Sequence, residues 1–109
     1  AQTEPDLSKR TVMLSDATKL AKRPDEQKLL LAAWGNTPTL KALDTLRPFL
    51  EQPAVRNEAA LAIVNVAGEL AGQSDEGKGR AKPALRAVLR RCENAAIREN
   101  AQALLAGLD

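Results

Sequence analysis

The sequence predicts an all-helical protein built as a single domain, and three observations lead to that fold class. The 109 residues include 20 Ala and 17 Leu, which favour helices, but only 7 Val and Ile together and 2 aromatic residues, which favour strands. Apolar side chains recur three and four positions apart, the spacing of one helix face. Prolines and glycines divide the chain into segments of ordinary helix length.

The first two predicted helices form a pair. The first runs from about residue 8 to residue 22, and the second begins at Pro24 and stops at Gly35. The expected packing face of the first consists of Met13, Leu14, Ala17, Leu20 and Ala21. The expected packing face of the second consists of Leu29, Leu30, Ala33 and Trp34. For Trp34 we favour core packing over an exposed ligand platform.

Prolines mark the third and fourth helices. Thr37 is expected to cap the third helix, with Pro38 in its first turn and Pro48 kinking it rather than ending it. The apolar stripe of this helix consists of Leu40, Leu43, Leu46, Phe49 and Leu50. Pro53 opens the fourth helix, whose apolar arc is wider than a single stripe. A helix this apolar packs on several sides, so we predict that it is the central helix.

A polar stretch and two further helices complete the chain. The stretch "GQSDEGKG", residues 72–79, contains three glycines and is predicted to be a flexible loop. The fifth helix is expected to pack through Ala84, Leu85, Val88, Leu89 and Cys92, and the sequence leaves open whether it begins before Pro83. Asn94 is expected to cap the sixth helix. That helix packs through Ile97, Ala101, Leu104, Leu105 and Leu108.

The chain repeats itself. A shift of 42 residues aligns "PAVRNEAALAIV" with "AAIRENAQALLA", so that Arg56 matches Arg98 and Leu50 matches Cys92. A shift of 29 residues relates the first helix pair to the second less closely. One helix pair cannot bury its apolar face alone, so we predict stacked pairs. The three predicted repeats are residues 8–35, 37–71 and 80–108, with the loop 72–79 between the last two.

These repeats resemble a known family. The segments "QPAVRNEAALAIVNVA" and "NAAIRENAQALLAGL" are similar to the second helix of HEAT repeats, including HEAT-like repeats of bile-pigment lyases, and Pro48 resembles the proline that bends the first helix of such repeats. The resemblance covers about residues 8–108 and implies a right-handed α-solenoid of three helix pairs. Residues 23–67 resemble HEAT segments of large planctomycete-type multidomain exported proteins, which implies an extracytoplasmic location.

The residue content argues against catalysis. The chain has no His, the commonest general base and metal ligand, and its lone Cys92 lies on an expected core stripe. No cluster has the usual spacing of metal ligands, and Asp75 and Glu76 lie in the predicted loop. We therefore expect no enzyme activity, no cofactor and no metal. A HEAT-like lyase or glycosylase is the least favoured function, because no motif selects either.

Five basic residues are the candidates for binding a partner. Arg56 and Arg98 recur in the first turns of two helices, either paired locally with carboxylates such as Glu58 and Glu99 or forming a row of guanidinium groups on a binding surface. The segment "KGRAKPALRAVLRR" has six basic residues and no acidic one. Within it, Lys82, Arg86 and Arg90 share a stripe if the helix begins before Pro83.

The function that we expect is a non-catalytic scaffold for contacts with a protein partner or a neighbouring domain. The alternative is weak binding of nucleic acid or another polyanion by the basic fifth helix. The net charge of +2, from 16 basic and 14 acidic residues, is too balanced to indicate nucleic acid by itself. No apolar run approaches the ~20 residues of a membrane span, and a single cysteine excludes an internal disulfide.

The two ends of the stack are expected to differ. Lys9, Arg10, Asp16 and Lys19 give the first helix a polar surface that could cap one end, whereas Ala residues widen the apolar arc of the last helix. We therefore predict weak self-association through the C-terminal end. Since the chain opens with "AQTEPD" and no initiator Met, we interpret it as a processed form or as part of a longer protein.

Overall fold

A computed structural model describes the backbone of residues 4–108 and the side chains of residues 9–108. This part of the chain forms six α-helices and one 3-10 helix and contains no β-strand, which confirms the all-helical prediction. In chain order the elements are α1 (Glu4–Leu20), α2 (Pro24–Gly35), α3 (Leu40–Leu46), the 3-10 helix (Arg47–Glu51), α4 (Arg56–Gln73), α5 (Asp75–Arg91) and α6 (Ala95–Leu108).

Side-chain caps fix the starts of three helices. The Asn94 carboxamide oxygen accepts from the amide of Ile97 at 3.1 Å, so the predicted cap of α6 is confirmed. The prediction that Thr37 caps the third helix is wrong. Thr39 caps α3 by accepting from the amide of Ala42, while the Thr37 hydroxyl donates to the Ala33 carbonyl at the end of α2. Pro38 consequently lies before the helix and outside its first turn.

Two prolines interrupt the chain more strongly than expected. The α-helix ends at Leu46, and Pro48 lies in the 3-10 helix that follows, so the prediction of a kink within one continuous helix is wrong. A proline removes a backbone donor and clashes with the carbonyl four residues earlier, and the tighter 3-10 hydrogen-bond pattern accommodates this locally. Pro53 does not open α4 directly, because a turn separates it from Arg56.

The predicted flexible loop over residues 72–79 does not exist. Helix α4 continues to Gln73, α5 begins at Asp75, and Ser74 alone connects them. The Ser74 hydroxyl accepts from the Gly77 amide at 2.9 Å, which caps α5, and the acidic side chains of Asp75 and Glu76 suit the positive end of the helix dipole. The absence of a side chain at Gly77 permits close contact with α4, because a Cβ there would collide with the Leu70 carbonyl.

Helix α4 lies at the centre of the molecule, as its wide apolar arc predicted. It contacts α2, α3, the 3-10 helix, α5 and α6. Ala59 and Ala101, which repeat under the shift of 42 residues, are both fully buried where helices approach each other. The largest fully buried side chains are Trp34, Leu31, Leu43, Leu46, Leu50, Ile63 and Leu85.

The helices are arranged in two layers. The even-numbered helices α2, α4 and α6 are neighbours in that order, and the odd-numbered helices α1, α3 and α5 are neighbours likewise. Each odd-numbered helix also contacts the even-numbered helix that follows it. The Cα atoms span 36 × 36 × 16 Å, which is a flat slab with two broad faces and two edges.

The N-terminal edge is more apolar than the sequence analysis predicted. Met13 and Leu20, expected on the packing face of the first helix, are 70% and 79% exposed, and Leu29 of α2 is 76% exposed. The predicted packing of Met13, Leu20 and Leu29 is therefore wrong, whereas the polar residues Lys9, Arg10, Asp16 and Lys19 are exposed as expected. Leu14 is half-buried, but α1 makes a narrow contact with α2 and α3, which leaves the rest of its apolar surface uncovered. The C-terminal edge has the expected exposed Ala residues of α6.

Candidate binding surfaces

Arg56 and Arg98 bind the ends of the helical segments that precede them. Arg56 Nε donates to the Leu50 carbonyl at 2.7 Å. Arg98 Nη1 donates to the Cys92 carbonyl at 3.1 Å and also to the Leu89 carbonyl. Each guanidinium therefore reaches a carbonyl six residues earlier, and the two acceptors, Leu50 and Cys92, match each other under the shift of 42 residues.

These contacts explain why a cation is tolerated in the first turn of a helix. The guanidinium faces unfavourable positive potential from its own helix but lies against the carbonyl end of the preceding one, where the potential is negative. Carbonyl oxygens of the backbone thus take the place of the expected carboxylate partners Glu58 and Glu99. The Glu58 carboxylate instead pairs with Lys28, whose Nζ lies 4.0 Å from Glu58 Oε2. Arg56 and Arg98 are half-buried and occupied within the molecule, which favours a local structural role for both.

The three basic residues of the fifth helix share one stripe. Helix α5 begins at Asp75, which is well before Pro83. The side chains of Lys82, Arg86 and Arg90 therefore lie at four-residue intervals along one helix. Lys82 is half-buried, whereas Arg86 and Arg90 are exposed. Within the described residues, the side chains of Arg86 and Arg90 make neither a hydrogen bond nor an ion pair.

Two further arginines of α5 join it to α3 and to the 3-10 helix. Arg80 Nη2 lies 2.6 Å from Asp44 Oδ1, and Arg91 Nε lies 2.9 Å from Glu51 Oε2. The four side chains are about half exposed, so each pair contributes about 0–1 kcal/mol to the free energy of unfolding. Sequence reasoning missed both pairs, because partners 36 and 40 positions apart are identified only by the packing register of the helices.

A groove separates the 3-10 helix from α5 between these ion pairs. Its volume is about 400 Å³, and we call it the Arg47–Arg90 groove. It is lined by Asp44, Arg47, Pro48, Leu50, Glu51, Ala87, Arg90 and Arg91. The side chains of Arg47 and Arg90 are exposed and make no hydrogen bond or ion pair with other described residues.

The layer of even-numbered helices has a second grooved surface, which we call the Asn65 face. Asn65 lines three adjoining grooves, two on its α2 side and one towards α6. Leu61, 46% exposed, and Ala32 provide apolar surface on the α2 side, and Ala103 does so on the α6 side. This face combines small apolar side chains with the uncharged amides of Asn36, Asn65 and Asn100, and its grooves are also lined by the charged side chains of Lys28, Glu58 and Glu69.

Trp34 and Cys92 are both buried in the core. Trp34 is 0% exposed and its Nε1 donates to the Thr18 hydroxyl at 3.0 Å, so core packing is confirmed over the role of exposed platform. Cys92 is 1% exposed, and its sulfur lies 3.5 Å from Asn57 Oδ1. A thiol in this position packs as a small apolar group.

Among residues 9–108, no three His, Cys, Asp or Glu side chains lie close enough together to hold a metal ion. No helix in the described part of the chain has both the length and the apolar character needed to cross a membrane. Asp75 and Glu76 are exposed in the first turn of α5.

Comparisons of this chain with family models, with curated proteins and with solved structures find no match.

Proposed function

We propose that this chain is a non-catalytic scaffold of three HEAT-like helix pairs that binds a protein partner or a neighbouring domain. The pairs are α1–α2, α3–α4 and α5–α6, stacked as a right-handed α-solenoid. The observation that most supports this arrangement is the repeated contact of Arg56 with the Leu50 carbonyl and of Arg98 with the Cys92 carbonyl. A polar contact that recurs at the repeat interval is expected of duplicated structural units.

The Asn65 face is the surface that we assign to the partner. It spans all three even-numbered helices, and the groove around its exposed Leu61 combines Ala32, Ala62 and Asn65 with the charged side chains of Lys28 and Glu58. Such a mixture of apolar, amide and charged groups suits a protein partner, since protein interfaces combine an apolar centre with a polar, solvent-accessible rim. In this proposal the chain has no enzyme activity and requires no cofactor.

A photo-crosslinking experiment tests the assignment. A benzophenone amino acid is placed at Asn65 and, as a matched control on the other layer, at the exposed Lys41 of α3, in cells that produce the natural full-length protein. We expect a discrete protein adduct from position 65 that persists at high salt and is lost when Leu61→Asp is added. Equal adducts from both positions, or none from position 65, would contradict the proposal.

The alternative function is weak binding of a polyanion by α5. It is favoured by one observation, the exposed Arg86 and Arg90 one turn apart and without ion pairs in the described structure. Binding of DNA or heparin that weakens steeply with salt would support this alternative, because counterion release governs such binding. An interaction with a protein that is insensitive to salt would favour the scaffold.

A further inference from the structure

The Arg47–Arg90 groove has an unequal distribution of charge. Its two carboxylates, Asp44 and Glu51, are already paired with Arg80 and Arg91 at 2.6 and 2.9 Å. Arg47 and Arg90 line the same groove with no partner among the described residues. Two positive charges are therefore left uncompensated over a space of about 400 Å³.

Apolar surface lies between these charges. Pro48 is exposed on the side of the 3-10 helix, and Ala87 and Leu50 form the floor with little exposed area. The ion pairs to Asp44 and Glu51 connect the two walls, and α3 and the 3-10 helix also pack on α5. The groove is thus a concavity with a small apolar centre, a largely charged lining and two available guanidinium groups.

We propose that this groove binds an acidic segment of a protein partner. Two carboxylates of the segment bind Arg47 and Arg90, and an apolar side chain between them covers Pro48 and Ala87. Guanidinium groups are suited to this role, because each can donate two parallel hydrogen bonds to one carboxylate. Neither arginine gives up an existing contact to do so.

The surroundings favour a protein segment over nucleic acid. Base stacking requires exposed aromatic groups. The two aromatic residues of the chain are Trp34, which is fully buried, and Phe49, which is half-buried.

This site is independent of the function proposed above. It lies between the odd-numbered helix α5 and the 3-10 helix, whereas the Asn65 face belongs to the layer of even-numbered helices. A partner could occupy either surface without the other. Variants of Leu61 therefore report on the scaffold proposal, and variants of Arg47 and Arg90 report on the acidic-segment site.

Fluorescence anisotropy with a labelled peptide of alternating Glu-Glu and Leu-Leu pairs tests the proposal. We expect the double substitution Arg47→Gln and Arg90→Gln to weaken binding about tenfold or more, since two charge-assisted contacts are lost. The control is the double substitution Lys22→Gln and Arg23→Gln, which removes the same charge from exposed positions between α1 and α2. The control and Leu61→Asp should both leave peptide binding within about twofold of the original protein.

Three results would overturn the proposal. The first is unchanged peptide affinity in the Arg47 and Arg90 variant, and the second is an equal loss in the control variant, which would mean attraction by net charge alone. The third is that a labelled single-stranded oligonucleotide binds more tightly than the peptide and that its binding is also weakened by the loss of Arg90. This result would assign the groove to nucleic acid. A peptide in which Gln replaces Glu should not bind, and circular dichroism verifies that each variant is folded.

Discussion

At the scale of single residues, the most informative contacts are those of Arg56 and Arg98. Each side chain links the first turn of one helix to the last carbonyls of the segment before it. Helix ends leave backbone acceptors unsatisfied, and here a guanidinium supplies the donors that a C-terminal glycine motif supplies in other proteins. The recurrence of an arginine at positions 56 and 98 is therefore explained by its hydrogen bond to the carbonyl that ends the preceding helical segment.

We predict that Arg98→Ala lowers the free energy of unfolding by about 1–3 kcal/mol, because two half-buried carbonyls lose their donor. Arg98→Lys should recover only part of the loss, since an ammonium cannot span both acceptors as a planar guanidinium does. Urea denaturation measures the change. Arg86→Ala is the control and should shift stability by no more than about 0.5 kcal/mol. Equal midpoints for the Arg98 and Arg86 variants would refute a structural role for Arg98.

At the scale of elements, the connection between α4 and α5 is the shortest between any two α-helices of the described chain. One residue, Ser74, separates two helices of 18 and 17 residues. So short a connection brings the backbones close together near the turn, and Gly77 is the position at which α5 approaches the backbone of α4. Gly77 is thus required for the close approach of the two helices, whereas Gly79 makes no such approach. A matched pair of substitutions can distinguish these two roles.

We predict that Gly77→Ala destabilises the protein by about 1–3 kcal/mol, because the new Cβ meets the Leu70 carbonyl. Gly79 lies two residues further along α5, is exposed, and has no atom within 4 Å of the position where a Cβ would be. Gly79→Ala should therefore stabilise the protein by about 0.5–1 kcal/mol through higher helix propensity. Thermal unfolding of the two variants decides the matter, and a destabilising Gly79→Ala would show that residues 72–79 are not helical in solution.

The same elements show what the sequence could and could not predict. Helical periodicity identified all six helices, the central position of α4 and the burial of Ala59. Glycine content over residues 72–79 was misleading, because glycine serves both flexible loops and close helix contacts, and only the neighbouring backbone distinguishes them. The pairing of Arg80 with Asp44 was beyond prediction, since it depends on the relative rotation of two helices.

At the scale of the whole molecule, apolar surface is concentrated at the edges of the slab. Four large apolar side chains at the N-terminal edge are between 61% and 79% exposed, namely Val12, Met13, Leu20 and Leu29. Leu20 and Leu29 line a groove of about 340 Å³ between α1 and α2. Ala103 and Ala106 are exposed on α6 at the other edge. Inside the molecule α2 packs on α4, and α4 packs on α6. The outer surfaces of the first and last helix pairs therefore resemble the inner surfaces through which neighbouring pairs pack on each other.

We therefore predict weak head-to-tail self-association, with the N-terminal edge of one copy against the C-terminal edge of another. The contact should bury less than the ~1,000 Å² of a stable interface, so dimers should appear only at high protein concentration. Sedimentation velocity over a wide concentration range measures this. Ala106→Glu and the pair Leu20→Gln with Leu29→Gln should each abolish association, whereas Leu61→Gln on the Asn65 face should not. A protein that remains monomeric at every concentration would disprove the prediction.

The single-residue connection at Ser74 also has a consequence for how the chain reaches this structure. Helices α4 and α5 make the most extensive contact of any two helices in the described chain, and they are adjacent in sequence. Contacts between neighbouring segments cost little loop-closure entropy and form early in folding. We therefore predict that this helical hairpin is the folding nucleus, on which α3 and α6 dock. Helix α1 has the narrowest contact among the described residues, so we expect it to join last and to detach first, with local opening of the native protein beginning at the N-terminal edge.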